Sequence, residues 1–155
     1  MKAEISNNEV NKNQKYIICD SARGFWGKSD TLLEVITMLS QYLTKEIKRE
    51  GKDRLCEFDL PQIGKVVVST LGDPDSSQPV WLHDAIKTNA RFIVTACRTS
   101  GSTVDVVYSI AHQYGYEIIW FKNFHFDSSS FYNTMEMSVV RHHEAQSIVD
   151  IIRSL

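Results

Sequence analysis

Residues 15–31 of this chain read KYIICDSARGFWGKSDT, and the order of these residues decides the fold. The run KYIIC is dense in β-branched and aromatic residues, which predicts a buried β-strand. The glycine-bearing segment SARGFWGKSD follows it at once and predicts a turn. From Thr31 onward, apolar residues recur at three- and four-residue steps, at Leu32, Val35, Ile36, Leu39, Leu43 and Ile47. This spacing predicts one helix with a single buried stripe that closes at Gly51.

Further strands and helices alternate along the rest of the chain. Short runs rich in β-branched and aromatic residues predict four more strands, at RLCEF, KVVVST, RFIVTAC and YEIIWFKNF. Helical spacing is found in WLHDAIKTNA, in VDVVYSIAHQYG and in the final segment 130–155. This alternation predicts the α/β class, as a three-layer sandwich around a mainly parallel sheet of five strands. KVVVST is the purest β-branched run, so we expect it near the middle of that sheet.

Length and composition indicate a single domain. The chain has 155 residues, 43% of them hydrophobic, which suffices for one core but not for two full domains. Residues 1–14 are polar and aperiodic, and they predict a flexible lead before one domain at 15–155. The sequence predicts neither a signal peptide nor a membrane span, and Cys19, Cys56 and Cys97 suit buried thiols, so we expect a cytoplasmic protein. The net charge of −2 does not indicate direct nucleic-acid binding.

The turn between the first strand and the first helix carries the predicted chemistry. Residues 22–29, ARGFWGKS, fit the relaxed P-loop pattern (A or G)-x-x-x-x-G-K-(S or T), which binds phosphate. Gly27 lets the backbone approach a phosphate closely, while Lys28 suits the β- and γ-phosphate oxygens and Ser29 suits Mg²⁺. The helix that follows directs the positive end of its dipole to the same point. The alternative interpretation is an ordinary turn between a strand and a helix, with a surface lysine.

The same loop resembles that of a known family. Residues 23–29, RGFWGKS, are similar to the deviant Walker A motif KGGxGK(S/T) of the ParA/MinD ATPases, with an arginine at the position of the signature lysine. Residues 58–62, FDLPQ, resemble the family's D-x-D-P-Q, and Asn123 follows the fifth strand, where such proteins often place an asparagine near the base. The resemblance implies a parallel sheet with the P-loop strand at its centre, Mg-ATP binding and dimerisation on nucleotide. Where the family's third strand ends in a Walker B aspartate, this chain has Ser69 and Thr70.

These patterns give a set of expected site residues. Lys28, Arg23 and Asp59 are the expected catalytic residues, because two of them carry positive charge and the third is an acid at a strand end. We expect Mg²⁺ on Ser29 together with Asp59 or Asp73, since both acids follow predicted strands and open α/β sheets bind ligands at strand ends. The expected cofactors are therefore ATP and Mg²⁺. The expected nucleotide contacts are Gly24, Phe25, Trp26, Gly27, Lys28, Ser29, Asp30 and Asn123.

By this resemblance, the expected function is a small P-loop ATPase or ATP-dependent switch that acts through a protein partner, such as in plasmid partition, positioning or conjugation. Two alternatives stay open. The missing Walker B acid favours a non-hydrolysing interaction module, and the same loop also occurs in small nucleotide or metabolite kinases. The polar loop 98–103 suits a helix cap or a contact with phosphate or a partner. His142 and His143 predict a solvated face, because adjacent residues do not place two imidazoles on one side of a helix.

Overall fold

The computed structural model describes residues 13–21, 28–71, 78–97, 102–122 and 137–155, in which strands and helices alternate. Within these ranges the strands are β1 Lys15–Ser21, β2 Leu43–Glu50, β3 Asp53–Leu60, β4 Gly64–Ser69, β5 Phe92–Cys97 and β6 Tyr116–Lys122. The helices are α1 Lys28–Met38, α2 Gln78–Lys87, α3 Ser102–Tyr114 and α4 Met137–Ser154, and a short 3₁₀ helix, Ser40–Tyr42, follows α1.

The strands form one mixed sheet in the order β2-β3-β4-β5-β1-β6. β1 pairs in parallel with β5 on one side and with β6 on the other, and β4 pairs in parallel with β5. β3 is antiparallel to both of its neighbours, β2 and β4. The predicted α/β class is confirmed, but the described sheet is mixed and has six strands where the sequence predicted five. β1 lies inside this sheet, beside the edge strand β6, and the KVVVST segment forms the interior strand β4.

Helices cover both faces of the sheet. Successive residues of a strand point to opposite faces, so β1 contributes apolar side chains to both layers. On one face, Tyr16 and Ile18 of β1 pack among buried apolar residues of α1 and α4. On the other face, Ile17 and Cys19 pack among buried residues of α2 and α3. Burial of one side chain such as Ile17 contributes about 1.5–3 kcal/mol. β1 is therefore fixed from both faces as well as by both neighbouring strands.

The largest departure from the sequence prediction lies just before Gly51. The helix predicted to close at Gly51 ends at Met38, and residues 43–50 form β2 instead. Leu43 is exposed and Ile47 is half-buried, so the apolar stripe buries little surface beyond Leu39. Pairing with β3 satisfies the backbone groups on one side of this segment, and that contact outweighs the local helical spacing.

Charged side chains and a glycine stabilise the β2–β3 hairpin at the edge of the sheet. Gly51 in its turn has a φ of 61°, a left-handed conformation that favours glycine. Glu46 accepts a hydrogen bond from Nε of Arg54 at 2.8 Å, and this bond holds the pKa of Glu46 below its ordinary value. Lys48 forms an ion pair with Asp84 of α2 at 2.7 Å. Charges of this kind suit an edge strand, because they oppose pairing with another chain.

The later helices agree with the sequence prediction. α3 ends at Tyr114 and is followed by Gly115, whose φ of 74° suits the predicted helix end. The three cysteines, Cys19, Cys56 and Cys97, are buried and form no disulfide, as predicted. No helix in the described part of the chain has both the length and the apolar character that crossing a membrane requires.

The strand at residues 43–50 predicts an interrupted pattern of amide hydrogen exchange, which alternates except where the register shifts, between Leu43 and Lys45 and between Glu46 and Lys48. Every second N–H of an edge strand points to its one neighbour and is protected, whereas the N–H groups between them face solvent. A helix over the same residues protects consecutive amides. Exchange followed residue by residue with NMR separates the two patterns, and unbroken protection from Leu43 to Glu50 would contradict the strand.

Candidate functional site

The carboxyl ends of β1 and β5 form a switch point in the sheet. These strands lie side by side, with Asp20 opposite Ala96 and Ser21 opposite Cys97. After β1 the chain leads to α1 on one face, and after β5 it leads to α3 on the opposite face. Divergence of this kind creates the crevice in which open α/β sheets bind their ligands. The carboxyl end of β1 is therefore the candidate ligand-binding site of this fold.

Buried polar side chains are concentrated at this carboxyl-end edge. Asp20 and Ser21 end β1, with exposed fractions of 0% and 4%. Ser69 and Thr70 lie at the end of β4, and Thr95 lies in the second half of β5, all three fully buried. Burial of polar groups is costly unless they make specific interactions. These strand ends are consequently built for polar contacts and are not a continuation of the apolar core.

The two hydroxyl residues after β4 differ in their contacts. The hydroxyl of Thr70 donates to Oδ1 of Asp53 at 2.7 Å and accepts from the backbone N–H of Arg54 at 3.0 Å. Thr70 thereby joins the end of β4 to the beginning of β3. The hydroxyl of Ser69 is buried and has no hydrogen-bond partner within the described residues. The chain itself ends β4 with hydroxyl groups, and the carboxylate at this point is that of Asp53 from β3.

Helix α1 begins at Lys28, so Lys28 and Ser29 are its first two residues, described here by their backbone. The first four N–H groups of a helix have no acceptor within the helix, and they point to the segment that precedes it. Together with the helix dipole, they make a helix N-terminus attractive to anions. The beginning of α1 thus directs these N–H groups toward the segment that follows β1.

Two cations from distant parts of the chain converge on the first turn of α1. Oδ1 of Asp30 lies 3.5 Å from Nζ of Lys52 in the β2–β3 turn, and Oδ2 lies 3.5 Å from Nη2 of Arg141 in α4. The sequence predicts a nucleotide contact for Asp30, whereas its described contacts are with these two cations. Nε of Arg141 is buried and has no hydrogen-bond partner among the described residues. Lys52 and Arg141 therefore bring two positive charges to this turn, beside the carboxylates of Asp30 and Glu144.

A buried hydrogen bond connects the first turn of α1 to α4. Oγ1 of Thr31 donates to Oε2 of Glu144 at 3.0 Å, and these residues are 0% and 3% exposed. Sequence reasoning missed Glu144, although a signal was present. It lies at four-residue spacing from Val140 and Ile148, and Ile152 continues the series. All three apolar residues are buried, so the period of α4 places Glu144 on the same inward face.

A pocket of about 260 Å³ lies on the α3 side of β1 and is lined by Ser21, Val104, Tyr108, Trp120 and Lys122. The rings of Tyr108 and Trp120 are in contact, with centroids 5.4 Å apart and an angle of 53° between their planes. Lys122 is exposed and lies opposite Ser21 in the pairing of β6 with β1. Sequence reasoning also missed this pocket, because α3 and β6 bring these residues together only in the folded chain.

Asp59 lies at the opposite edge of the sheet, which corrects the prediction that it acts with the loop as a catalytic and metal-binding residue. β3 runs antiparallel to β4, so Asp59 pairs with Lys65 near the beginning of β4. Ser69, at the carboxyl end of β4, pairs instead with Leu55 near the beginning of β3. The prediction assumed that every strand ends at the same edge. The reversed direction of β3 removes Asp59 from any site at Lys28.

The remaining predicted site residues lie outside the described ranges: Arg23, Gly24, Phe25, Trp26, Gly27, Asp73 and Asn123. Within the described ranges, no group of three or more His, Cys, Asp or Glu side chains could hold a metal ion. His142 and His143 are exposed, in agreement with the predicted solvated face. Any Mg²⁺ ion at this edge would therefore depend on oxygen atoms from a bound ligand as well as from the chain.

The buried bond between Thr31 and Glu144 predicts a measurable loss of stability in Thr31→Val. This change keeps the branched shape but removes the donor to a buried carboxylate, so we expect the free energy of unfolding to fall by about 1–3 kcal/mol. Thr37→Val is the matched control on the exposed side of α1, where a change within about 0.5 kcal/mol is expected. Urea denaturation measures both. Equal losses in the two variants would show that the buried bond contributes nothing specific.

Comparison with known proteins leaves this chain without an assigned relative. No protein-family model matches it, and neither a curated protein nor a solved structure shows significant similarity to it. The resemblance to the ParA/MinD ATPases accordingly stays a prediction that rests on the loop residues themselves.

Proposed function

We propose that this chain binds a nucleoside triphosphate and Mg²⁺ at residues 22–29 and acts as a small ATPase or ATP-dependent switch of ParA/MinD type through a protein partner. One observation carries the proposal. The ARGFWGKS segment joins the carboxyl end of β1 directly to the first residue of α1, at the switch point of the sheet. The pattern alone recurs by chance in many chains, and this strand, loop and helix context is what gives it weight.

The beginning of α1 supports this proposal through its backbone. Its free N–H groups and the positive end of the helix dipole attract a phosphate without any side chain. Lys28 is the first residue of the helix, so its ammonium group would neutralise phosphate oxygens at the same point. Gly24 and Gly27, by the P-loop pattern, would allow the backbone to approach the phosphates closely.

The charges around the first turn of α1 also support an anionic ligand. Lys52 and Arg141 approach this turn from the hairpin and from α4, and they share the single carboxylate of Asp30. Lys28 would add a third positive charge at this turn, against the two carboxylates of Asp30 and Glu144 that contact it. A triphosphate is the ligand class that balances several positive charges in a small volume.

Magnesium fits this edge by the chemistry of its donors. Mg²⁺ prefers oxygen ligands and is usually held by one or two protein groups together with substrate phosphates and water. Ser29 would supply a hydroxyl, and Asp20 and Asp30 supply carboxylates on either side of the loop. Bound with the nucleotide, the ion would neutralise charge on the phosphate oxygens.

A non-hydrolysing switch is the second candidate, favoured by the residues at the end of β4. Ser69 and Thr70 end that strand with hydroxyl groups, and Thr70 is already engaged with Asp53. A hydroxyl is a much weaker general base than a carboxylate, because a protonated hydroxyl is far more acidic than a carboxylic acid. With Asp59 at the opposite edge, these residues favour nucleotide binding with slow turnover.

Nucleotide binding is tested by comparing the chain with Lys28→Ala in the presence of magnesium. ATP at about 100 times its Kd should raise the free energy of unfolding of the unchanged protein by about 2.7 kcal/mol, because only the folded state binds. Lys28→Ala should lose most of this gain. Lys87→Ala, at an exposed position in α2, is the matched control and should keep it. Denaturation with and without Mg-ATP measures all three.

Three results would decide the matter. Equal stabilisation of the unchanged chain and Lys28→Ala would show that this lysine does not hold phosphate. If no nucleotide stabilises the chain, the proposed function is wrong. Where binding is intact, phosphate release separates the two candidates, since steady release supports an ATPase and its absence supports the non-hydrolysing switch.

A further inference from the structure

We propose that the pocket between α3 and β6 receives the purine base of the nucleotide, with Tyr108 and Trp120 as its stacking surface. This inference rests on the proposed function, because it identifies where the base of the same ligand binds. The described residues that line this pocket are Ser21, Val104, Tyr108, Trp120 and Lys122.

The pocket is continuous with the phosphate-binding loop through Ser21. Ser21 lines the pocket and is the last residue of β1, so the loop that begins at residue 22 starts from the pocket wall. Successive residues of a strand face opposite sides. Asp20 accordingly faces the side of α1 and α4, while Ser21 faces the side of α3. A ligand that spans the end of β1 would have its phosphates at α1 and its base against α3.

The residues that line this pocket suit a flat heteroaromatic ring. Tyr108 and Trp120 offer aromatic faces, and Val104 adds an aliphatic side. Every nucleobase has a π-face that stacks on such rings. The hydroxyl of Ser21 can donate or accept a hydrogen bond, and the ammonium group of Lys122 can donate to ring nitrogens or carbonyl oxygens. A phosphate would not stack on the aromatic rings, and an alkyl chain would make no hydrogen bond with Ser21 or Lys122.

The size of the pocket favours a base over a whole nucleotide. Its volume of about 260 Å³ falls just below the roughly 300–1,000 Å³ typical of pockets that enclose entire small ligands. A bicyclic purine uses more of this space and of the aromatic surface than a pyrimidine does, because stacking grows with contact area. The triphosphate would then lie outside the pocket, at the beginning of α1.

Tyr108 is the residue whose replacement tests the pocket most cleanly. It is 53% exposed, so Tyr108→Ala should leave the core intact. Calorimetric titration with Mg-ATP should show a Kd about tenfold weaker than that of the unchanged chain, the loss expected for one stacking contact. Tripolyphosphate, which has no base, should bind both proteins equally. Tyr114→Ala is the matched control, because Tyr114 is a second exposed tyrosine of α3 that does not line the pocket.

Trp120 gives an independent readout. Because Trp26 is an expected nucleotide contact, the comparison is made in Trp26→Phe, in which binding of ATP should still quench tryptophan fluorescence. Adding Trp120→Phe, which retains an aromatic face, should remove that quenching while binding persists. Quenching that is undiminished when Trp120→Phe is added would argue against a base at this position.

The outcomes separate failure of the pocket from failure of the proposed function. If Tyr108→Ala binds Mg-ATP as tightly as the unchanged chain while Lys28→Ala loses binding, the pocket inference is overturned and the phosphate site stands. If neither Mg-ATP nor tripolyphosphate binds the unchanged chain, the proposed function is wrong. Titration with adenosine then decides the pocket, which is supported if Tyr108→Ala abolishes binding and overturned if adenosine does not bind.

Discussion

The parallel pairing of β1 with both β5 and β6 is the constraint on which the rest of this structure depends. Each neighbour contributes a continuous ladder along the whole of β1, and helices cover the strand from both faces. A strand held on four sides has little freedom to shift, because a slip of one residue would exchange its two apolar faces. The positions of Asp20 and Ser21 at its carboxyl end are therefore strongly determined.

Both candidate subsites depend on that fixed strand end. On one face, the first turn of α1 is connected to α4 by Thr31 and Glu144, and cations from α4 and the hairpin surround Asp30. On the other face, Ser21 lines the pocket between α3 and β6. The proposed ligand would join the two faces across the end of β1. This arrangement uses opposite sides of one strand for two kinds of recognition, electrostatic for phosphate and aromatic for the base.

Local sequence signals predicted the elements whose formation depends on local interactions. The β-branched run of β1 and the apolar stripe of α1 predicted the first strand and the beginning of the helix. The period around Leu43 and Ile47 was misleading, because two apolar residues four apart can belong to a helix or to a poorly buried edge strand. The pairing with β3 across the turn at Gly51 decides between them, and the apolar pattern does not show that pairing.

Fewer of the site residues could be predicted, because strand direction and contacts between elements far apart in the sequence are not visible in local patterns. Asp59 was assigned to the loop because it ends a strand, but strand direction is a property of the whole sheet and is not visible in RLCEFDL. Tyr108 and Trp120 belong to different elements, and nothing in the sequence brings them together. Glu144 and Asp20 could have been found, since each is an acid at a position that the surrounding apolar pattern marks as buried.

The central claim is that the carboxyl-end edge of the sheet around β1 binds nucleotide. Amide chemical shifts measured by NMR during titration with Mg-ATP test it most directly, because they report on every part of the fold at once. The account predicts the largest changes in residues 21–31 and at Lys122, with the amides of Asp59 and Lys65 at the opposite ends of the strands unchanged. Changes centred on Asp59 and Lys65, or no changes at saturating nucleotide, would contradict it.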